Sequence, residues 1–486
     1  MTEYDAIIVG AGVIGLSTAY HIKRQNPNSK MLVVDKFSAA GQGSTAKSMS
    51  AFRCLFSSPI NYVLSDSSVD FYDYVQRELG VDLKLLFIGY LWLLGGDDFA
   101  EMAPILEKLA AKSLKYKEYE AEELAKPLGL NIHLRGDEEA ELMGLKDVYK
   151  GIFIPKAGIV DADCVVKFYE EEFLRLRGDE EAELMGLKDV YKGIFIPKAG
   201  IVDADCVVKF YEEEFLRLGG EIRYGVKVQD LIVEACKPIG IAGEPFFWQE
   251  SRISGVKTDS GIIKARKTIL ASGAWIPQLL DSVGIECFIK PKKRQVFAIE
   301  AKSPLLRRLL FTEGFNPAGC LPFTILPKPR VLIRPFPNER VFWLSYADDF
   351  PRAFKLEDDP QPEDDFPRAF KLEDDPQPEK NFYQYGIYQV LVKYFPQFQD
   401  CRPYSAFAGL YEINTLDGHP VVFEEKDLIV VGGASGSGIM KADAIGRIAA
   451  ALYNGEDYAI LYGDRKFKVS DLSIRERRVE PEKLQI

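Results

Sequence analysis

The chain has 486 residues, with 61 Lys and Arg against 73 Asp and Glu and a hydrophobic fraction of 47%. This composition belongs to a soluble globular protein with a full core and excludes disordered and collagen-like architectures. A formal net charge of −12 argues against nucleic-acid or anionic-membrane binding, because both need a basic face.

Met1–Asp5 leads at once into Ala6–Val9, with no basic n-region, apolar h-region or cleavage site, and no apolar run approaches the ~20 residues of a membrane span. The cysteines Cys54, Cys164, Cys206, Cys236, Cys287, Cys320 and Cys401 are scattered, without a C-x-x-C pair or metal-ligand spacing. A reduced, cytoplasmic setting with no metal site is expected.

Tyr4–Val9 reads as a short buried parallel strand, Gly12–Gln25 as a helix with Ile14, Ala19 and Ile22 apolar, and Met31–Val34 as the next buried strand. This β-α-β unit carries Gly10-x-Gly12-x-x-Gly15, with Asp35 at the tip of the second strand. The first glycine allows the tight turn, the second lets backbone approach a pyrophosphate, and the third lets helix pack on strand. The helix N-terminus offers N–H donors to phosphates, and the terminal carboxylate accepts from ribose hydroxyls. A bound dinucleotide is the reading of the unit.

After Asp35, Gly41–Arg53 reads as a small-residue loop and helix start that brings serine hydroxyls and amides to phosphates. Next comes a perfect tandem duplication: Arg135–Leu176 and Arg177–Leu218 are the same 42 residues. Asp348–Glu363 and Asp364–Glu379 are likewise one 16-residue segment written twice. Solenoid units diverge and recur at least three times because each must bury its face on a neighbour, so one copy of each pair reads as redundant. Each long unit carries ten acids and six bases, and each short one six acids and two bases, so a chain with single units would have a net charge of −4.

Thr268–Trp275 is a buried strand ending in a glycine turn, and Leu428–Lys441 repeats the pattern of strand, glycine loop and helix start. Tyr90–Leu94 and Val341–Leu344 read as strands, Glu379–Phe395 as a helix, and Glu357–Asp359 as a solvated loop.

In these segments the chain resembles the FAD-dependent amine and amino-acid oxidoreductases of the D-amino-acid oxidase superfamily. Within it the resemblance is to sarcosine oxidase, glycine oxidase and archaeal dye-linked L-proline dehydrogenase. It rests on the glycine motif with Asp35, on Ala271-Ser272-Gly273-Ala274-Trp275, on Arg294-Gln295-Val296, on Gly409-Leu410-Tyr411 followed by Asp417-Gly418, and on Gly433–Gly438 before the last helix. Ser44–Arg53 and Pro291–Arg294 look most like the archaeal proline dehydrogenases.

The resemblance implies an α/β fold, with a Rossmann-like FAD-binding domain of residues 1–85, 155–285 and 400–486. An interleaved antiparallel substrate domain takes residues 86–154 and 286–399. It implies that Gly10, Gly12, Val13, Ile14 and Gly15 hold the pyrophosphate, Asp35 the ribose, and that Lys36 lies beside the adenosine. Ser44, Lys47, Ser48 and Met49 would pass along pyrophosphate and flavin, and the backbone of Val228 would meet adenine. Ala271, Ser272, Gly273 and Trp275 would border the cofactor. Gly433, Ser435, Gly436, Ser437, Gly438, Ile439 and Met440 would face the flavin, a helix end stabilising its reduced, anionic form.

Gly409 stands where covalently flavinylated relatives have cysteine, so the FAD is expected to be non-covalent. Arg53 occupies the place of an arginine that grips substrate carboxylate, and a guanidinium fork suits that task. Tyr411 is a second candidate for the same carboxylate. The relatives' lysine aligns with Met440, with Lys441 one residue later.

The implied reaction is oxidation of a secondary amine or imino acid, L-proline by preference, to an imine by hydride transfer to flavin N5. Dehydrogenase is preferred over oxidase, with the electron acceptor unassigned and both homo-oligomer and complex-subunit states open. Of three histidines, His21 reads as structural and His133 as polar surface, while His419 keeps open a 2-hydroxy-acid dehydrogenase that needs a base. An electron-relay subunit is the third reading.

Overall fold

Val9, Leu32 and Val34 sit in strands buried on both faces, the pattern that helix-covered parallel sheets demand. In the computed structural model, which describes residues 4–110, 115–159, 204–346, 372–478 and 480–484, Tyr4–Val9 runs parallel to Met31–Val34 on one side and to the second half of Gly261–Leu270 on the other. Glu221–Arg223 extends this sheet beyond Met31–Val34, and Leu428–Gly432 and Val421–Glu425 extend it beyond Gly261–Leu270. The first half of Gly261–Leu270 pairs antiparallel with Ser251–Thr258, which pairs with Val228–Ala235.

Helix Val13–Gln25 packs between helices Ala442–Tyr453 and Ala204–Arg217. Its last-turn Lys23 and Arg24 complement the helix dipole. His21 is buried here, 2.8 Å from Asp443, and serves this interface, as the sequence predicts.

The second eight-stranded sheet runs in the order Ser405–Asn414, Ile289–Glu300, Val341–Tyr346, Val331–Phe336, Phe323–Ile325, Tyr90–Leu94, Lys150–Ile154, Lys117–Glu120. Only the contact between Phe323–Ile325 and Tyr90–Leu94 is parallel. Ser405–Asn414 belongs to this sheet although it follows residue 400, because ten successive pairs bind it to Ile289–Ala298.

One local expectation changes. Gly41–Arg53 starts no helix: after turns, Ala51–Arg53 forms a short strand against Ala157–Ile159. The helix expected over Glu379–Phe395 is present, its turns running from residue 380 through Phe382–Tyr388 and Gln389–Tyr394. Of the long duplication, the described residues are 135–159 from the first copy and 204–218 from the second, the beginning and end of one unit. Glu357–Asp359 and Cys164 lie outside the described residues.

Candidate active site

A cavity of about 470 Å³ opens where the first sheet's parallel strands end. Gly10, with φ +112°, makes the turn out of the first strand, and a Cβ there would lie 2.5 Å from the Ala271 carbonyl oxygen. A Cβ on Gly15 would lie 2.0 Å from the Gly10 oxygen, so neither position admits a side chain while this turn stands. Gly12 meets only Thr45 Oγ1, at 3.4 Å, and its face is left to the cavity.

Of the residues singled out in the sequence, the cavity wall brings together Gly10, Gly12, Val13, Ile14, Asp35, Lys36, Ser44, Ser48, Val228, Ala271, Ser272, Gly273, Trp275, Tyr411, Gly436, Gly438 and Ile439. Gly15, Lys47 and Gly433 lie outside it. Gly15 is tucked under the turn, and Lys47 points to Asp375 at 3.1 Å. Lys36 reaches Asp374 at 3.0 Å and lies 3.8 Å from the Trp275 ring centroid. Asp35 accepts from the amides of Ala11 at 2.6 Å and Phe37 at 2.8 Å; burial pushes its carboxyl up while these amides hold it down.

A second, smaller cavity of about 60 Å³ adjoins the first and shares Ser48, Tyr411, Gly436 and Ile439 with it. Its wall adds Met49, Arg53, Ser435, Ser437, Met440 and Lys441. The Gly436 backbone lies against the Tyr411 ring, where a Cβ would come within 2.3 Å of the ring edge. Arg294 stacks its guanidinium 5.6 Å from the centroid of that ring, and burial raises the phenol's pKa.

Arg53 is buried, but its fork is not directed at open space. Its two terminal nitrogens donate to the carbonyls of Leu55 and Leu484, and its guanidinium lies 4.3 Å from the Phe56 ring centroid. Lys441 Nζ donates to Asn61 Oδ1 at 2.8 Å and Ser437 Oγ at 2.6 Å. Burial pushes its ammonium down to about 7, assisted by Arg53 and opposed by Glu482.

Four residues of this region escape sequence reasoning. Glu482 is 7% exposed and accepts from Ser57, Ser58, Asn61 and Leu484. Burial works against its ionised form, but the Ser57 hydrogen bond and the Arg53 charge hold it down at about 2. Asn61 bridges Glu482 to Lys441. Glu412 lines the larger cavity beside Tyr411, and burial raises its carboxyl to about 7 against the amides of Ala434 and Gly433. Arg334, fully buried, donates to the Met49 carbonyl and lies 3.9 Å from the Phe336 ring centroid. A signal existed for the last two, since each is a charged residue inside a strand that otherwise reads as buried. Glu482 had none, being one acid in a charged tail.

His419 is fully buried, contacts Ser58 Oγ and Asp417, and lines neither cavity.

A family model described as DAO, FAD dependent oxidoreductase, matches residues 5–179 and 167–452. The chain belongs to this family. It is an FAD-dependent oxidoreductase, and the two matched stretches overlap inside the 42-residue duplication. Among curated proteins, a glycine oxidase of Pseudomonas putida is 29% identical over 69 residues, 14% of this chain and 19% of that protein. FAD-dependent oxidoreductase domain-containing protein 1 of Bos taurus is 36% identical over 107 residues, 20% and 22% of the two chains. These matches thus span about a fifth of the relatives' length.

Solved structures match over the whole fold. L-proline dehydrogenase from P. horikoshii has a TM-score of 0.65 at 17% identity, covering 98% of this chain and 99% of that one. NikD, an amino acid oxidase, has a TM-score of 0.62 at 16% identity, covering 100% and 99%.

The larger cavity fits FAD. Its volume lies within the range of cofactor sites, roughly 300 to 1,000 Å³, and its glycine turn leaves backbone facing the space. Ser272 Oγ and Glu412 Oε2, both on lining residues, have no protein hydrogen-bond partner among the described residues. No helix among the described residues is long and apolar enough to cross a membrane.

Proposed function

We propose that the protein oxidises a small secondary amine or imino acid, L-proline by preference, to the imine, and acts as a dehydrogenase. The observation that carries this reading is the small cavity with Arg53, Lys441 and Tyr411 in its wall, adjoining the larger one and sharing Ser48, Tyr411, Gly436 and Ile439 with it. FAD in the larger cavity supplies a two-electron acceptor for the substrate's α C–H.

In this reading Gly10, Gly12, Val13, Ile14, Ser44 and Ser48 hold the pyrophosphate side, and Asp35, Lys36 and Val228 the adenosine side. Ala271, Ser272, Gly273 and Trp275 border the cofactor, and Gly436, Gly438, Ile439 and Met440 face the flavin. The FAD is non-covalent, as Gly409 offers no thiol and its Cα is packed against Lys47. Arg53 supplies the positive charge that favours a substrate carboxylate, and the Tyr411 hydroxyl donates to it. The Arg53 fork becomes available to that carboxylate when the Leu484 carbonyl is displaced.

His419, the base considered for a hydroxy-acid dehydrogenase, faces Ser58 and Asp417 and lines neither cavity. A cytoplasmic location accompanies the proposal. Flavin reduction under anaerobic conditions by L-proline or sarcosine, and not by 2-hydroxy acids, tests it; reduction by hydroxy acids alone would overturn it.

A further inference from the structure

Lys441 differs from an anchoring lysine in its hydrogen-bond arithmetic. Ser437 Oγ spends its proton on the Ala434 carbonyl at 2.6 Å, so toward Lys441 Nζ it accepts. Asn61 spends its amide nitrogen on Glu482 at 3.0 Å, so its Oδ1 faces Lys441 and accepts as well. The surroundings therefore use two N–H donors of Nζ, the number a neutral amine possesses, and leave its third position without a protein acceptor among the described residues.

Among the described residues no carboxylate lies at ion-pair distance from Nζ. The charged and titratable groups around it are Arg53 from its strand, Glu482 from the C-terminal segment, Tyr411 from the strand behind the cavity and Tyr90 from the opposite strand. Glu482 is already matched by Arg53 and four hydrogen-bonding residues. Burial, the largest influence, and the like charge of Arg53 disfavour an ammonium here, while the Glu482 charge and the Phe56 ring face, 4.6 Å from Nζ, act the other way.

We propose that Lys441 is the general base that takes the ammonium proton of the bound amine substrate. The inference rests on the amine reading above. Amino and imino acids arrive with a protonated nitrogen, whose lone pair is needed to push out a hydride. The substrate N–H bond breaks, its electron pair stays on the substrate nitrogen, and the proton joins the Nζ lone pair. With FAD bound, the neutral amine would be the form able to give up its α-hydrogen with two electrons, and Nζ would return its proton to solvent.

The test is the rate of anaerobic flavin bleaching by L-proline or sarcosine between pH 6 and pH 10. Wild type is expected to show a rising limb near pH 7, where Lys441 loses its proton. Lys441→Met is expected to be slower by about 10²- to 10³-fold at pH 7.5 and to regain rate as pH nears the ~10 of a free amine. Lys441→Arg keeps a cation but accepts no proton, so it is expected to behave like the methionine variant. A wild-type limb that tracks only the substrate's own ammonium overturns the proposal even if the variants fail to fold. So does a Lys441→Arg enzyme with the wild-type profile, which marks the lysine as an anchor. No bleaching of wild type by any amine means instead that the amine reading itself has failed, and this proposal falls with it.

Discussion

The larger cavity is walled by backbone at Gly10–Gly12, Ala271–Gly273 and Gly436–Gly438, whereas the smaller one beside it is made of side chains from well-separated elements: Arg53, Asn61, Lys441 and Glu482. Backbone walls come from local sequence, since a few glycines at fixed spacing dictate the turn. Side-chain walls depend on the tertiary fold, down to a tail residue four positions from the end of the chain. The first cavity should therefore be most sensitive to bulk added at its glycine turns, and the second to removal of its charges.

The largest effect is expected from bulk beneath the turn that forms the backbone wall. Gly15→Val would drive its side chain into the Gly10 carbonyl, and the purified protein should contain no flavin by absorbance at the flavin bands. A variant with full flavin content would show that the turn is not what holds the cofactor.

Charge removal in the second cavity comes next. Arg53→Met should keep its flavin and lose about 10²- to 10³-fold in the second-order rate of flavin reduction, the scale of about 3 to 4 kcal/mol for a buried charge-assisted contact. Equal loss of flavin would mean that the two cavities are not separable.

A smaller effect concerns stability. The Glu482 carboxyl titrates at about 2 in the folded chain against an ordinary 4.5. A depressed carboxylate stabilises the fold above the higher value and loses that contribution as pH falls toward the lower one. The contribution is at most about 3 kcal/mol. Melting temperatures taken from pH 5 down to pH 2.5 should fall for wild type, and Glu482→Gln should start lower and fall less. Parallel curves for the two proteins would contradict the assignment.

The smallest effect should come from removing one 42-residue unit and one 16-residue unit. The two long copies are identical, so one unit carries both Lys150–Ile154, in the second sheet, and the sequence of helix Ala204–Arg217, which packs on Val13–Gln25. Flavin content and melting temperature should stay within error of the full chain.

Legibility in the sequence followed the same division. Tyr4–Val9, Val13–Gln25 and Met31–Val34 were readable because apolar continuity and glycine spacing are local properties, and the wall residues from Gly10 to Ile14 came with them. Gly41–Arg53 was misread as a helix start because its final residues are claimed by Ala157–Ile159, a partner over a hundred residues away. The Arg53 fork was expected on a substrate, but the Leu484 carbonyl and Glu482 reach it from the far end of the chain. His419 looked like a base until burial placed Ser58 and Asp417 around it. No local pattern encodes any of these long-range contacts.

The most direct measurement is anaerobic bleaching of the holoenzyme by a panel of small amines, amino acids and hydroxy acids. Rapid loss of the oxidised flavin spectrum with L-proline or sarcosine, and an unchanged spectrum with 2-hydroxy acids, is the predicted result. Bleaching by hydroxy acids, with secondary amines inert, would contradict the assignment of the small cavity to an amine.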